Sequence, residues 1–231
     1  MFPEQLTRGY RAFLGERFSR ERKRYETLAE RGQRPEVMIV GCCDSRVSPE
    51  VIFDASPGEL FVIRNVANLV PPYAPDGHYH GTSAALEFAV QALRVKHIVV
   101  LGHAHCGGIR AFADEAAPLS AGDFIGKWMT LIAPAAERVG PRGGDMPDYL
   151  ARLERAAIEQ SLTNLMSFPD VRQRVESGGL ALHGAYFGVA DGVLLVRDPR
   201  DGTFAPVPEA PPSREVAAQP AAADAVRQSR P

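Results

Sequence analysis

Apolar residues recur at Leu6, Tyr10, Phe13, Leu14 and Phe18 and again at Tyr25 and Leu28, with Arg and Glu between them. That spacing predicts one or two amphipathic helices. The pattern then changes. Val37, Met38, Ile39 and Val40 form a short unbroken apolar run, as do Leu60, Phe61, Val62 and Ile63, and Ile98, Val99, Val100 and Leu101 after His97. Runs of this length suit strands buried on both faces. Between the second and third, Thr82 or Ser83 can cap a helix carrying Ala84, Ala85, Leu86, Phe88, Ala89, Ala92 and Leu93. Strand, helix, strand predicts a parallel crossover.

Helical patterns follow over residues 123–132 and 148–165, the second with Leu150, Leu153, Ala157, Leu162 and Leu165 on one stripe, and Pro169 can open a short successor. Small and apolar residues alternate over 180–188, and Ala190, Asp191 and Gly192 make a turn signal before Val193, Leu194, Leu195 and Val196. Two late strands joined as a hairpin are expected. The predicted class is α/β: a mostly parallel central sheet flanked by helices, with an N-terminal helical arm over residues 1–35, the α/β body over 36–204, and a late antiparallel strand or hairpin. Residues 205–231 hold six Pro and eight Ala but no aromatic residue, Leu or Ile. Such a tail buries too little surface to offset its ordering entropy and is expected to be disordered.

At 231 residues the chain is long enough for one sizeable core without disulfide staples. Lys and Arg number 26 against 28 Asp and Glu, a formal charge of -2, which makes nucleic acid an unexpected partner. No run approaches the ~18 consecutive apolar residues of a membrane span, and residues 1–30 lack the apolar stretch of a secretory signal. A cytoplasmic protein is expected, without membrane association. The three cysteines, of which Cys42 and Cys43 are adjacent, do not form a secreted disulfide framework.

Polar residues follow directly after the apolar runs: Cys42, Cys43, Asp44, Ser45 and Arg46 after the first, and His103, His105 and Cys106 after the third. In an open parallel sheet the residues just beyond the strands' carboxyl ends converge on one crevice, so Cys42, Asp44, Arg46, His103 and Cys106 can meet although 61 residues separate Cys42 from His103. Two thiols and an imidazole point to zinc, since calcium or magnesium needs a cage of oxygens. Three ligands leave a fourth tetrahedral position for water or for Asp44, and an open position means catalysis. Arg46 can grip Asp44 with its planar fork and so hold the carboxylate ready to accept a proton. Strand alternation alone leaves open whether Cys42 or Cys43 faces the crevice.

These segments resemble the β-class carbonic anhydrases, whose signature is Cys-x-Asp-Ser-Arg followed by His-x-x-Cys-Gly-Gly, as Cys42 to Arg46 and His103 to Gly108 stand here. Arg64-Asn65-Val66-Ala67-Asn68, Val70-Pro71-Pro72-Tyr73, Gly81-Thr82 and His183-Gly184-Ala185-Tyr186 match as well, in the family's order. The resemblance implies reversible hydration of carbon dioxide to bicarbonate and a proton, with zinc held by Cys42, His103 and Cys106 and with Asp44 and Arg46 as the orienting pair. The family register favours Cys42 over Cys43. In the plant-like branch the pocket is completed by positions that are here Gln33, the backbone of Gly107, and Phe61 and Val66, apolar side chains lent by a partner subunit. The N-terminal stripe then looks like the arm that family members wrap around a partner, which implies a homodimer or a larger homo-oligomer.

Phe88 stands where that branch commonly has tyrosine. A second branch binds inhibitory bicarbonate through a tryptophan, an arginine and a tyrosine; Arg64 matches, but Ile39 and Phe187 occupy the other two positions, so this regulatory site is expected to be missing. Two rivals stand beside the enzyme: a zinc-bearing scaffold in which Asp44 fills the fourth position, and a redox pair of Cys42 and Cys43, which leaves His103 and Cys106 unexplained and strains the peptide between neighbours.

Overall fold

Residues 1–114 and 124–208 are described by the computed structural model. Its centre is a six-stranded sheet in the order β2-β1-β3-β4-β5-β6. β1 (Val37–Cys42), β2 (Leu60–Asn65) and β3 (His97–His103) are the three unbroken apolar runs, and β1 pairs in parallel with both of the others. β4 (Ala181–Phe187) continues the parallel sheet beside β3, and β5 (Leu194–Arg197) returns antiparallel to β4 as the expected hairpin. The chain leaves β1 toward β2 on one side and comes back to β3 on the other. That reversal opens a crevice beyond the carboxyl ends of β1 and β3, the usual place for a ligand site in such sheets.

One strand was not expected. β6 (Phe204–Pro206) pairs antiparallel with β5, Ala205 opposite Val196 and Pro206 opposite Leu195. The first residues of the Pro/Ala-rich segment therefore belong to the sheet, with the proline on an edge strand where a missing N–H donor is tolerated. Residues 209–231 lie outside the described residues.

The arm is one continuous helical rod: α1 (Glu4–Phe13) and α2 (Ser19–Arg31) are joined by a π-helical turn over Leu14–Phe18. The wide turn brings Phe18 onto Phe13, with ring centroids 5.8 Å apart, and both rings pack on Tyr25. The arm is tied to the body by Arg24 of α2, which donates to the Pro57 carbonyl (2.6 Å) and to Glu59 (2.9 Å), and by Arg17 of the π-helical turn, which donates to the Ala55 carbonyl (3.3 Å). Phe2, Leu6, Tyr10 and Leu14 remain exposed.

Beyond α3 (Pro49–Ile52), α4 (Gly81–Glu87) runs on through a π-helical stretch to Leu93. Neither Thr82 nor Ser83 caps it: the helix begins at Gly81, and the Thr82 hydroxyl accepts a hydrogen bond from Asn65 instead. α5 (Gly107–Ala113) starts directly after the third run's polar cluster. α6 (Ile125–Met129) and a 3-10 turn (Thr130–Ile132) occupy the region 123–132 expected as one helix, Asp123 itself lying outside the described residues, and α7 (Ala133–Val139), which was not expected, follows. α8 (Met146–Leu165) and α9 (Pro169–Glu176) follow as expected, α8 opening two residues early.

α8 sets the core. Its Ile158 sits in a notch left by two glycines of neighbouring strands: a methyl group on Gly102 would stand 2.7 Å from Ile158 Cδ1, and one on Gly184 3.0 Å from Cγ2. Met38, Val40, Ile98, Val100 and Tyr186 bury around it. Ile158→Ala is expected to cost about 2–5 kcal/mol, read as a lower midpoint in denaturant unfolding, because the notch admits no neighbour to refill it; a loss below ~1 kcal/mol would contradict this packing. On the opposite sheet face Ile39, Gly41, Leu101 and Ala185 are buried, while Val37, Leu60, Val62, Val99 and Leu194 are half-buried.

Candidate metal centre

Gly41 of β1 lies opposite Leu101 of β3. One residue further along β1 and two along β3 stand Cys42 and His103, and the loop after β3 returns Cys106 to them. The Cys42 and Cys106 sulfurs and a ring nitrogen of His103 all lie within 4.8 Å of one another, and all three residues are buried. Cys43 points the other way and is exposed, which resolves the choice between the neighbouring thiols for Cys42.

The chemistry of the three fits a soft or borderline metal ion. The Nδ1 of His103 pairs with the Ala104 carbonyl at 2.9 Å. Donating there turns the lone pair of Nε2 toward the sulfurs. Nε2 is buried and, among the described residues, is the one buried side-chain nitrogen or oxygen with no hydrogen-bond partner. A buried acceptor left unsatisfied is costly; a metal ion at the centre of the three atoms would satisfy it. The Cys106 thiol and nearby backbone N–H groups hold the Cys42 thiol well below the usual thiol range, while the Cys42 sulfur and burial push Cys106 up. A site already poised to carry a thiolate is a ready metal ligand.

Asp44 stands at the mouth of this cluster. Arg46 grips it with two side-chain bonds, Nε to Oδ1 at 2.9 Å and a terminal nitrogen to Oδ2 at 2.7 Å, and its backbone N–H adds a third to Oδ1. The guanidinium fork holds the Asp44 carboxyl far below the usual carboxylate range. Oδ2 is 4.0 Å from His103 Nε2. Arg46 also donates to the His105 carbonyl at 3.0 Å, so it joins the loop after β1 to the loop after β3.

A family model for carbonic anhydrase matches residues 37–194. Beta carbonic anhydrase 3 of Arabidopsis thaliana is 37% identical over 196 residues, 83% of this chain and 75% of that protein. The chain belongs to the β-class carbonic anhydrases. Among solved structures, the β-carbonic anhydrase CcaA superposes with a TM-score of 0.80 at 30% identity, covering 89% of this chain and 92% of that one. One of two tetrameric β-carbonic anhydrases of Sordaria macrospora gives 0.73 at 28% identity, with 87% and 97% covered.

The other residues expected in this carbonic anhydrase's pocket divide into two sets. Val66, expected from a partner subunit, instead packs against the apolar cluster of its own chain that contains Cys42 and Cys106, and Gly107 opens α5 directly after Cys106. Val66 and Cys43 also line an apolar groove of about 710 Å³ with Trp128 and Leu131, rimmed by the exposed rings of Tyr79 and Phe124. Gln33 and Phe61 are not brought to the cluster. Gln33 is exposed and precedes β1, so the whole strand separates it from Cys42, roughly 17 Å or more at the rise of an extended chain. Phe61 pairs with Met38 near the same far end, its ring 5.8 Å from that of Phe88.

Three further residues, outside the ligand and Asp44–Arg46 motifs, hold the centre. Arg64 donates to the carbonyls of Cys42 and Asp44, both at 2.7 Å, and so fixes the backbone of the first loop. Glu154 of α8 and Tyr186 of β4 lie behind the second: Glu154 accepts the Cys106 N–H at 2.9 Å and the Tyr186 hydroxyl at 2.7 Å. Burial pushes the Glu154 carboxyl up, and these two donors pull it back. A signal was present. Glu154 falls among Leu150, Leu153 and Ala157 on the apolar stripe of its helix, where a carboxylate has no place without partners.

Proposed function

We propose that the chain binds zinc through Cys42, His103 and Cys106 and catalyses the reversible hydration of carbon dioxide to bicarbonate and a proton. The observation that carries the ligand set is the orphaned, buried Nε2 of His103 facing two sulfurs. Zinc bound there supplies a Lewis acid that acidifies water for attack on carbon dioxide. Asp44 receives a hydrogen bond from the attacking water and aims its lone pair, and Arg46 keeps both carboxylate oxygens from turning. The three N–H bonds that Asp44 already accepts from Arg46 favour this orienting role over a place as fourth ligand. Val66 and the Gly107 backbone form the wall against which carbon dioxide is held.

Gln33 and Phe61 act, in this reading, on the pocket of a second copy. Their position at the far end of β1 is what supports it, along with the exposed stripe of α1 and the half-buried face of the sheet, which a homodimer or larger homo-oligomer would cover. The tetrameric relatives of Sordaria macrospora are of this kind. The chain falls in the branch without inhibitory bicarbonate: Ile39 is buried, and the Arg64 guanidinium is engaged by the carbonyls of Cys42 and Asp44. Three unpaired cysteines suit a reducing compartment, here read as the cytoplasm, which cell fractionation checks.

One preparation tests these statements together. Metal analysis is expected to find about one zinc per chain, with hydration that a strong chelator abolishes. Sedimentation is expected to give a dimer or a multiple of it, and initial rates are expected to follow a simple hyperbola in bicarbonate. A chain without stoichiometric zinc sinks the ligand set; zinc without turnover leaves a metal-bearing scaffold; sigmoidal inhibition returns the regulatory site.

A further inference from the structure

Glu154 is 4% exposed and, among the described residues, forms no salt bridge. A carboxylate buried in this way is expensive unless its oxygens are hydrogen-bonded, and both of them are, to groups on two other elements. Oε1 takes the N–H of Cys106 and Oε2 the hydroxyl of Tyr186. The helix that carries Glu154 is seated on the same part of the sheet as the metal cluster. Ile158, one turn along α8, fills the notch beside Gly102, the residue before His103. Tyr186 lies directly opposite Gly102 on β4.

The segment between His103 and Cys106 needs such a brace. His105 adopts a left-handed conformation with φ of 58°, which costs energy for a residue other than glycine and persists only where the surroundings impose it. Two contacts impose it from opposite sides. Arg46 draws on the His105 carbonyl at 3.0 Å, and Glu154 draws on the next N–H, that of Cys106. Between them the loop is turned so that the Cys106 sulfur meets Cys42 and His103.

We infer that Glu154, braced by Tyr186, is a positioning residue of the metal centre, clamping the Cys106 backbone so that its sulfur is held in place for zinc. This rests on the reading of Cys42, His103 and Cys106 as zinc ligands. The test uses the full chain with Glu154→Ala, Glu154→Gln and Tyr186→Phe, each checked for an unchanged circular-dichroism spectrum. Zinc release to a chelator and the thiolate-to-cobalt absorption of cobalt-loaded protein are the readouts. Glu154→Ala is expected to release zinc about 10–100-fold more readily and to shift the cobalt bands. Glu154→Gln keeps an oxygen for the Cys106 N–H and an amide for Tyr186, and is expected to stay within roughly threefold of wild type; Tyr186→Phe falls between. Zinc release and cobalt bands unchanged in Glu154→Ala overturn the inference, as does a Glu154→Gln chain that is as weak as the alanine variant. Should Glu154→Ala fail to fold, Tyr186→Phe decides, and metal release equal to wild type overturns it. Wild-type protein that takes up neither metal would sink the zinc reading itself, which the variants leave standing.

Discussion

Cys106→Ala is expected to lose zinc and activity together while the chain stays folded. Zinc falls from about one per chain to below about 0.1, and carbon dioxide hydration drops about a thousandfold or more, as several kcal/mol of Lewis-acid stabilisation disappears. The reason is local. Cys42 and His103 alone leave a metal ion with two protein ligands, and the site no longer closes around it. The fold does not depend on the sulfur: Cys106 precedes α5, and its N–H bond to Glu154 is a backbone bond that alanine keeps. Elemental analysis beside a stopped-flow assay reads both losses, and a variant that still carries stoichiometric zinc would refute the ligand assignment.

Asp44→Asn is expected to separate the two losses. The amide has the shape of the carboxylate, so zinc remains near one per chain. Its NH2 group, however, must face either Arg46, donor against donor, or the pocket, where an acceptor is needed. A fall in kcat/KM of about 100-fold follows. The pH dependence distinguishes this role from proton uptake by the carboxyl. The Arg46 fork depresses the Asp44 carboxyl, so Asp44 is ionised from about pH 6 to about pH 9 and contributes no titration there. A hydration rate that rises across that window therefore belongs to the attacking water, and Asp44→Asn lowers the profile without changing its shape. A depressed carboxyl contributes its stability above its unfolded value, near pH 4, and loses it as the pH falls further, so the grip of Arg46 on this loop is released only in stronger acid. A profile whose midpoint moves in the variant would show Asp44 itself titrating.

The parts legible along the chain were those governed by near neighbours in sequence. Three unbroken apolar runs became β1, β2 and β3, the turn at Asp191 and Gly192 made the hairpin of β4 and β5, and the polar residues after β1 and β3 marked the crevice. Each follows from local periodicity or from the chemistry of a short segment. Where local signals competed, the reading slipped: Thr82 looked like a cap but accepts a bond from Asn65, and Phe204 to Pro206 joined the sheet because β5 offered them an open edge.

By itself, the sequence determined the fold class, the residue types able to bind a metal ion and the pairing of Asp44 with Arg46, because all of these reside in patterns a few residues long. The tertiary structure alone decided that Cys42 rather than Cys43 faces the cluster, that Gln33 and Phe61 lie toward the far end of the sheet from it, and that Glu154 reaches the Cys106 N–H from 48 residues away. Those facts depend on how α8 settles into the notch of Gly102 and Gly184 and on which face of β1 turns inward. Contacts between distant segments are set by packing of the whole core, which no short pattern encodes.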